Sequence, residues 1–494
     1  MDGPDPRARG QGVANEAATH RRLRIALVSP KGPLYRHRGG IFRKSLRYQP
    51  LTLTTLASLV PPELNAELTL IDEGIADVPD CLDVDLVALT VITGTAPRAY
   101  ELSRRFRGQG VTTVLGGPHV TLIPADAQPH ADSIVVGYAE DSWPQLLRDF
   151  AGGTLKPRYD QAANLSLAGR PFARRDLLPR KRFITDNVFE ATRGCVHDCD
   201  FCVVPSAWGR RPFQKPVGEV TQDIRRHLDQ GRPRKIIFVD LNLIADRKYA
   251  VELFIALAPL KLQWYGLSTT LIGRDEELLD LAEKSGCRGL LLGFESISPG
   301  NLKLSRKGFN HPDDYALLIE KLHRHRIAVQ GCFTFGMDED EADIFQRTAK
   351  FAVDAKIDLP RFAIVTPFPG TPLHQRLSDE GRILTRDWSL YDGQHVVFRP
   401  KRMSVEELQF GTERAWKLAY GWRSIASRLR HSPAPLHVRM ITNLGYRFYA
   451  HHLSRFYNCD WILGWDRAGA APPLASPAPS EPIVPLTVSH AGVR

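Results

Sequence analysis

The 494-residue sequence predicts an α/β fold with two separate parallel sheets followed by a small helical region. Three observations carry this. Short apolar runs alternate with helical stretches in two series, residues 22–151 and 183–400. A connector over residues 152–182, rich in Pro, Gly and Arg, separates them. After Pro400 the alternation gives way to helical spacing. The length exceeds what a single core usually supports, so several domains are expected.

Residues 1–21 are polar, lack an apolar centre and read as a disordered N-terminus rather than a signal peptide. Arg24 to Ser29 is a short apolar run suited to a buried strand. A loop rich in Gly, Pro, Arg and Tyr follows, and Leu51 to Val60 reads as a helix stopped by Pro61-Pro62. Glu67 to Asp72, Asp85 to Val91, Val111 to Leu115 and Ser133 to Val136 supply four more strands. Together they predict an open, doubly wound, Rossmann-like sheet, whose ligands bind beyond the carboxyl ends of the strands. Thr90-Val91-Ile92 and Gly116-Gly117-Pro118-His119 lie at two of those ends. Glycine there lets a bulky ligand approach the backbone, although a Gly-Gly pair also makes an ordinary turn.

The second series begins at Asn187 to Thr192 and continues at Lys235 to Asp240, Gln263 to Ser268, Gly289 to Phe294, Val329 to Phe335 and Phe362 to Val365. Six strand–helix units predict a partial (β/α)6 TIM-type barrel with its active site at the strands' carboxyl ends. Polar residues recur at those ends: Asp240 and Asn242, Ser268, Glu295 and Ser296. Any one of them is equally read as turn or capping chemistry. Residues 401–465 read as a helical C-terminal domain packed over the barrel mouth. Its basic, aromatic stretch from Leu436 also has the pattern of a helix that lies on anionic lipid. Residues 466–494, rich in Pro, Ala and Ser, read as a disordered tail.

The first strand of the second series leads into Arg193-Gly194-Cys195-Val196-His197-Asp198-Cys199-Asp200-Phe201-Cys202. Three thiols on one loop suit a metal centre. A zinc site needs a fourth ligand, which only His197 offers nearby. An iron–sulfur cubane held by three thiolates leaves one iron open to a ligand. Cys287 and Cys332 lie in apolar runs and read as core residues.

The spacing C-x3-C-x-Phe-C resembles the signature of radical S-adenosylmethionine (SAM) enzymes. By that resemblance Cys195, Cys199 and Cys202 hold a [4Fe–4S] cluster whose open iron binds SAM. Phe201, Asp240, Asn242, Ser268, Glu295 and Ser296 would lie beside SAM. The first sheet, with its Thr90/Ile92 and Gly116-Gly117 elements, is similar to a cobalamin-binding domain. There Thr90, Ile92, Gly116, Gly117, Pro118, His119 and Glu140 would contact cobalamin, with Thr90 and Ile92 in place of the family's Ser and Leu. The Asp-x-His-x-x-Gly string that ligates cobalt in many cobalamin proteins is missing from residues 29–50. His37 reads as a solvated loop residue, and Tyr48 or Gln49 are the candidates for the lower cobalt face.

Over residues 22–400 the order resembles cobalamin-binding radical SAM methylases, with a C-terminal part similar to hopanoid C-2 methylases. The resemblance implies a methyltransferase acting on an unactivated carbon of a hydrophobic small molecule: a polycyclic lipid, a tetrapyrrole or a natural-product intermediate. A 5′-deoxyadenosyl radical and methylcobalamin would do the chemistry, because such a C–H bond has no proton for an acid–base residue to remove. It implies a one-electron donor such as flavodoxin or ferredoxin, and no catalytic side chain is assigned. The alternative within the family is a non-methylating oxidoreductase or cyclase of the tetrapyrrole type.

Net charge is +10, which admits nucleic acid or a membrane surface as partner without choosing between them. A tRNA-modifying relative would carry further N-terminal cluster cysteines, and only Cys81 precedes the motif, so no nucleic acid is expected. The seven cysteines lack disulfide-framework spacing and no apolar run approaches a membrane span. A cytoplasmic protein is expected, with peripheral contact at the inner face of the membrane. A non-enzymatic cobalamin or iron–sulfur sensor would not need polar residues at successive barrel strand ends.

Overall fold

The structure, a computed structural model, describes residues 22–32 and 48–453; expectations about residues 1–21, His37 and the tail 466–494 lie outside the described residues. The first sheet comprises β1 (Arg24–Ser29), β2 (Glu67–Asp72), β3 (Leu86–Thr90), β4 (Thr112–Gly116), β5 (Ser133–Val136) and β6 (Arg158–Asp160). Its order is β2-β1-β3-β4-β5-β6, parallel throughout. β1 is apolar at every central position because both its faces are covered. Ile25 and Leu27 join one buried cluster with Leu53 and Trp143, while Ala26 and Val28 join another with Leu102 and Phe106. The chain reverses direction across the sheet between β1 and β3. That reversal opens a crevice at the strands' carboxyl ends.

The second sheet contains β7 (Val188–Phe189), then, after the hairpin β8 (Thr192–Arg193) and β9 (Phe213–Gln214), β10 (Lys235–Phe238), β11 (Gln263–Ser268), β12 (Cys287–Glu295), β13 (Ala328–Phe335) and β14 (Leu359–Ile364). Each of its six strands pairs in parallel with the next in sequence, in the order β7-β10-β11-β12-β13-β14. Strand follows neighbouring strand in one direction, as a partial barrel requires. The antiparallel hairpin β8–β9 brackets the cysteine loop.

The C-terminal helices pack differently from the expected cap over the mouth. The helix Val405–Ala419 lies along the edge strand β14. Trp416 Nε1 donates to the Phe362 carbonyl at 3.0 Å, and the Tyr420 hydroxyl donates to that of Pro360 at 2.9 Å. These side chains satisfy carbonyls that an open sheet edge would expose.

The carboxyl end of the first sheet faces the barrel. Tyr138, just past β5, stacks on Trp208 with ring centroids 5.0 Å apart. Glu140 pairs with Arg193. His119 sits edge-on to Trp388 at 5.8 Å. Aromatic contacts of this kind contribute about 0.5–1.5 kcal/mol each beyond area burial. The crevice at the β1/β3 reversal is therefore held toward the side of the barrel that carries the cysteine loop.

Candidate active site

Cys195, Cys199 and Cys202 are free thiols on the loop after β8; Cys199 is buried and the other two are half-buried. Among the described residues no group of three His, Cys, Asp or Glu converges as the ligands of a single metal ion would. A cubane takes three thiolates, each on a different iron, and this loop supplies three. His197 is turned to stack on Phe309 at 4.0 Å rather than to complete a ligand set. Burial pushes the Cys199 thiol up to about 12 and raises Cys202 as well. Such thiols need a cationic partner to ionise, and a bound metal centre supplies one.

Two charged groups stand beside the loop. Lys307 Nζ lies 2.5 Å from Glu295 Oε1, and the Thr334 hydroxyl donates to Glu295 Oε2 at 2.9 Å. Burial opposes the charge on Lys307, but Glu295, with a further contribution from the cysteines, outweighs it and holds the ammonium above its usual range. Glu295 has φ of 62°, a strained conformation for a residue with a side chain, and the β12–β13 register shifts at this point. A Cβ on Gly293 would come within 2.3 Å of Glu295 Oε1, so only glycine lets the glutamate fold back over the strand. Strained backbone of this kind gathers at functional sites. Sequence reasoning found Glu295 but missed Lys307, which lies in the turn after a short helix and has no local motif.

The other strand-end residues divide. The Thr269 hydroxyl, next to Ser268, is buried without a hydrogen-bond partner in the structure. An orphaned polar group at a barrel strand end suits a ligand rich in hydrogen-bonding groups, as SAM is. Phe201 packs against the barrel core. Asn242 and Ser268 are buried, with side-chain oxygens near the backbone of Ile244 and Thr269 at 3.4 and 3.3 Å. The Ser296 hydroxyl accepts from the Ser298 N–H at 3.0 Å and serves its own turn. Asp240 departs from expectation. Its carboxylate accepts from the Ala191 N–H at 3.0 Å, from the Thr192 N–H and from the Thr192 hydroxyl at 2.8 Å. It fixes the chain entering the cysteine loop, and these bonds occupy its carboxylate.

Burial, followed by the nearby Glu190 charge, raises the Asp240 carboxyl to about 7. A carboxyl raised on folding contributes stability at low pH that is lost as pH rises from its ordinary value of 3.8 through about 7. Asp240→Asn is expected to lose less stability than wild type between pH 4 and 8. Denaturation midpoints measured across that range check this.

At the crevice of the first sheet, Gly117 has φ of 112°, and a Cβ there would meet the Val91 carbonyl oxygen at 2.7 Å. The backbone turns here as only glycine allows and leaves the end of β4 open to a ligand. Thr90 pairs with Gly116 across β3–β4 and is half-buried. Ile92 is 57% exposed, an apolar side chain at a sheet end that a large ligand would cover. These features fit cobalamin. Pro118 opens a short helix, Pro118–Leu122.

His119 and Glu140 depart from expectation. His119 is fully buried, with Nε2 3.0 Å from the Tyr100 hydroxyl and 3.2 Å from Asp126 Oδ2. The Glu140 carboxylate is buried against Arg193. Both are held by partners within the protein, although Glu140 Oε2 is buried without a hydrogen-bond partner. Gln49 is likewise occupied, its side-chain amide donating to the Arg175 carbonyl at 3.0 Å, while Tyr48 is exposed.

Comparisons with known proteins agree with this geometry. Residues 189–352 match the radical SAM superfamily and residues 64–147 the B12 binding domain. The chain is 32% identical over 393 residues to the bacteriochlorophyllide d C-12(1)-methyltransferase of Chlorobaculum tepidum, covering 78% of this chain and 85% of that one. It is 28% identical over 412 residues to the C-8(2)-methyltransferase of the same organism, covering 80% and 91%. It is 25% identical to the hopanoid C-2 methylase of Rhodopseudomonas palustris, covering 68% and 66%. In fold it resembles the cobalamin-dependent SAM radical enzyme OxsB, with a TM-score of 0.63 at 14% identity over 88% of this chain and 72% of that one. It also resembles the radical SAM methyltransferase TsrM of Kitasatospora setae, with a TM-score of 0.60 at 17% identity over 90% and 99%. A cysteine loop at a barrel mouth, a glycine-opened crevice held toward it and these likenesses have one reading: the chain belongs to the cobalamin-binding radical SAM methylases and is a C-methyltransferase that uses a [4Fe–4S] cluster, SAM and cobalamin.

Proposed function

We propose that the methyl acceptor is an unactivated side-chain carbon of a tetrapyrrole of the bacteriochlorophyllide type. The supporting observation is the likeness to two Chlorobaculum methyltransferases named for bacteriochlorophyllide d, which extends over 85% and 91% of their lengths. Likeness to the hopanoid methylase is lower in identity and covers 66% of that protein.

In this reading Cys195, Cys199 and Cys202 hold the cluster. Lys307 offers its ammonium to the carboxylate of SAM, and Glu295 holds that ammonium in place. The Thr269 hydroxyl supplies a further hydrogen bond. Thr90, Gly116 and Gly117 border the cobalamin, and Ile92 packs on it. The bound cofactors supply homolytic hydrogen abstraction and methyl transfer, which no side chain can perform. The protein's own contribution is to position the reacting groups and exclude water. The reading includes an electron donor such as flavodoxin or ferredoxin and work at the inner face of a membrane. No helix among the described residues is long and apolar enough to cross one.

The test is anaerobic turnover with SAM carrying a deuterated methyl group, with bacteriochlorophyllide d and a hopanoid supplied in separate reactions. A labelled methyl on the tetrapyrrole supports the proposal. Label only on the hopanoid, or an oxidised or cyclised tetrapyrrole without label, refutes it.

A further inference from the structure

The helix Leu436–His451 packs Tyr446, Tyr449 and Ala450 against the protein and carries a second set of apolar residues on the solvent side. Leu436, Met440, Ile441, Leu444 and Phe448 are all exposed, Ile441 by 69%. Their spacing places them along one helical face. Asn443 and Ala450 are the residues of this helix that are buried against the rest of the protein. Trp422 is 62% exposed and lies beside this helix, with the Arg447 guanidinium 4.2 Å from its ring centroid. A contiguous apolar surface of this kind marks a contact site.

Charge identifies what it contacts. Residues 414–453 contain no Asp or Glu. Arg414, Lys417, Arg423, Arg430, Arg439 and Arg447 are exposed or half-buried in the same stretch. Lys417 pairs with Glu413 at 3.7 Å, and the arginines remain in excess. Apolar residues set among such excess cations match an anionic lipid surface, where the aliphatic and aromatic groups enter the acyl boundary and the cations meet headgroups. The sequence that follows carries Tyr457, Trp461 and Trp465, the residue types enriched at membrane interfaces. A second copy of this chain would bring like charge to the same face.

We propose that the exposed face of the helix Leu436–His451, together with Trp422, docks on an anionic bilayer. The proposal deepens the reading of an enzyme that works against a membrane, and its test involves no methyl transfer, so either can fail alone.

The experiment is flotation of the full-length protein with vesicles of phosphatidylcholine alone or with phosphatidylglycerol added to about a third, at low and high salt. The expected result is binding to the anionic vesicles at least ~10-fold above binding to the neutral ones, reduced by salt. Ile441→Glu with Leu444→Glu, both at exposed positions, is expected to abolish binding. Cobalamin absorbance and sedimentation coefficient should stay unchanged, which shows that the variant is folded. Absence of binding to anionic vesicles overturns the proposal. So does binding unaffected by the double substitution, and so does a wild-type dimer that the substitution converts to monomer without any vesicle binding, which assigns the face to a second copy.

Discussion

Cys199→Ala abolishes SAM cleavage and methyl transfer while leaving cobalamin bound to the first sheet. The expected fall in activity is ~100-fold at least, since even the outer-shell partners of a metal site account for 10–100-fold. Cys199 is the most buried of the three thiols, and its carbonyl belongs to the fold of the loop: the Cys202 N–H donates to it at 3.1 Å. Removing the sulfur removes a ligand and leaves that backbone geometry in place. The first sheet is stabilised by two buried clusters of its own, one on each face, and these share no residue with the barrel core. Loss of the cluster therefore need not unfold the crevice. Cys287→Ser is the control, because Cys287 is fully buried in the barrel core and far in sequence from the loop. It is expected to lower stability through an unsatisfied hydroxyl and to keep the cluster. The checks are the brown absorbance of anaerobically reconstituted protein, 5′-deoxyadenosine release and the cobalamin spectrum. A variant that keeps wild-type cluster absorbance and SAM cleavage would refute the ligand role.

The parts of the molecule legible in the sequence are those set by local pattern. Eleven strands lie where the sequence pattern predicts them, with β1 and β2 at their expected limits: β1 as a continuous apolar run covered on both faces, β2 as an alternating one. β6 escaped notice within the connector, since a three-residue edge strand, Arg158–Asp160, with only Tyr159 buried leaves no such trace. The cysteine motif was legible because all its members share one loop. Lys307 was not, since its meaning depends on Glu295, twelve residues away in sequence, folding back toward it. Asp240, His119 and Glu140 stand at the expected strand ends, yet their side chains point inward. Sequence locates a polar residue along a strand end but does not fix the partner that captures it. The C-terminal helices show the same limit. Their amphipathic pattern was visible, but their seat on the β14 edge depends on Trp416 and Tyr420 reaching the carbonyls of Phe362 and Pro360.

Arg193→Met uncouples SAM cleavage from methyl transfer. Arg193 immediately precedes the cysteine loop in β8, while its partner Glu140 follows β5 of the first sheet. Its Nε also donates to Glu190 Oε2 at 2.8 Å, and its guanidinium lies 5.2 Å from the centroid of the Tyr138 ring. One side chain thus ties the start of the cysteine loop to the domain that faces it. Without it, Glu140 and Glu190 remain buried with Lys215, 3.3 Å from Glu190, as the remaining cation. Stranding buried carboxylates costs about 3–5 kcal/mol. In the wild type, burial raises the Glu190 carboxyl, but Arg193 and Lys215 outweigh it and hold the group below its usual range. A lowered carboxyl gives stability present above its ordinary pKa and lost as pH falls. In the variant the same burial is no longer opposed by Arg193, so the Glu190 carboxyl rises and the cost grows as pH increases. The stability difference between the proteins should therefore narrow in acid, which loss of packing alone would not produce. At neutral pH the expected yield of methylated product per 5′-deoxyadenosine falls about tenfold, as misplacement of reacting groups by an ångström or so can cost this much or more. Arg193→Lys restores the charge without the two-pronged geometry and should recover part of the coupling. Product and 5′-deoxyadenosine falling in equal proportion, with a stability difference independent of pH, would reduce Arg193 to a packing residue.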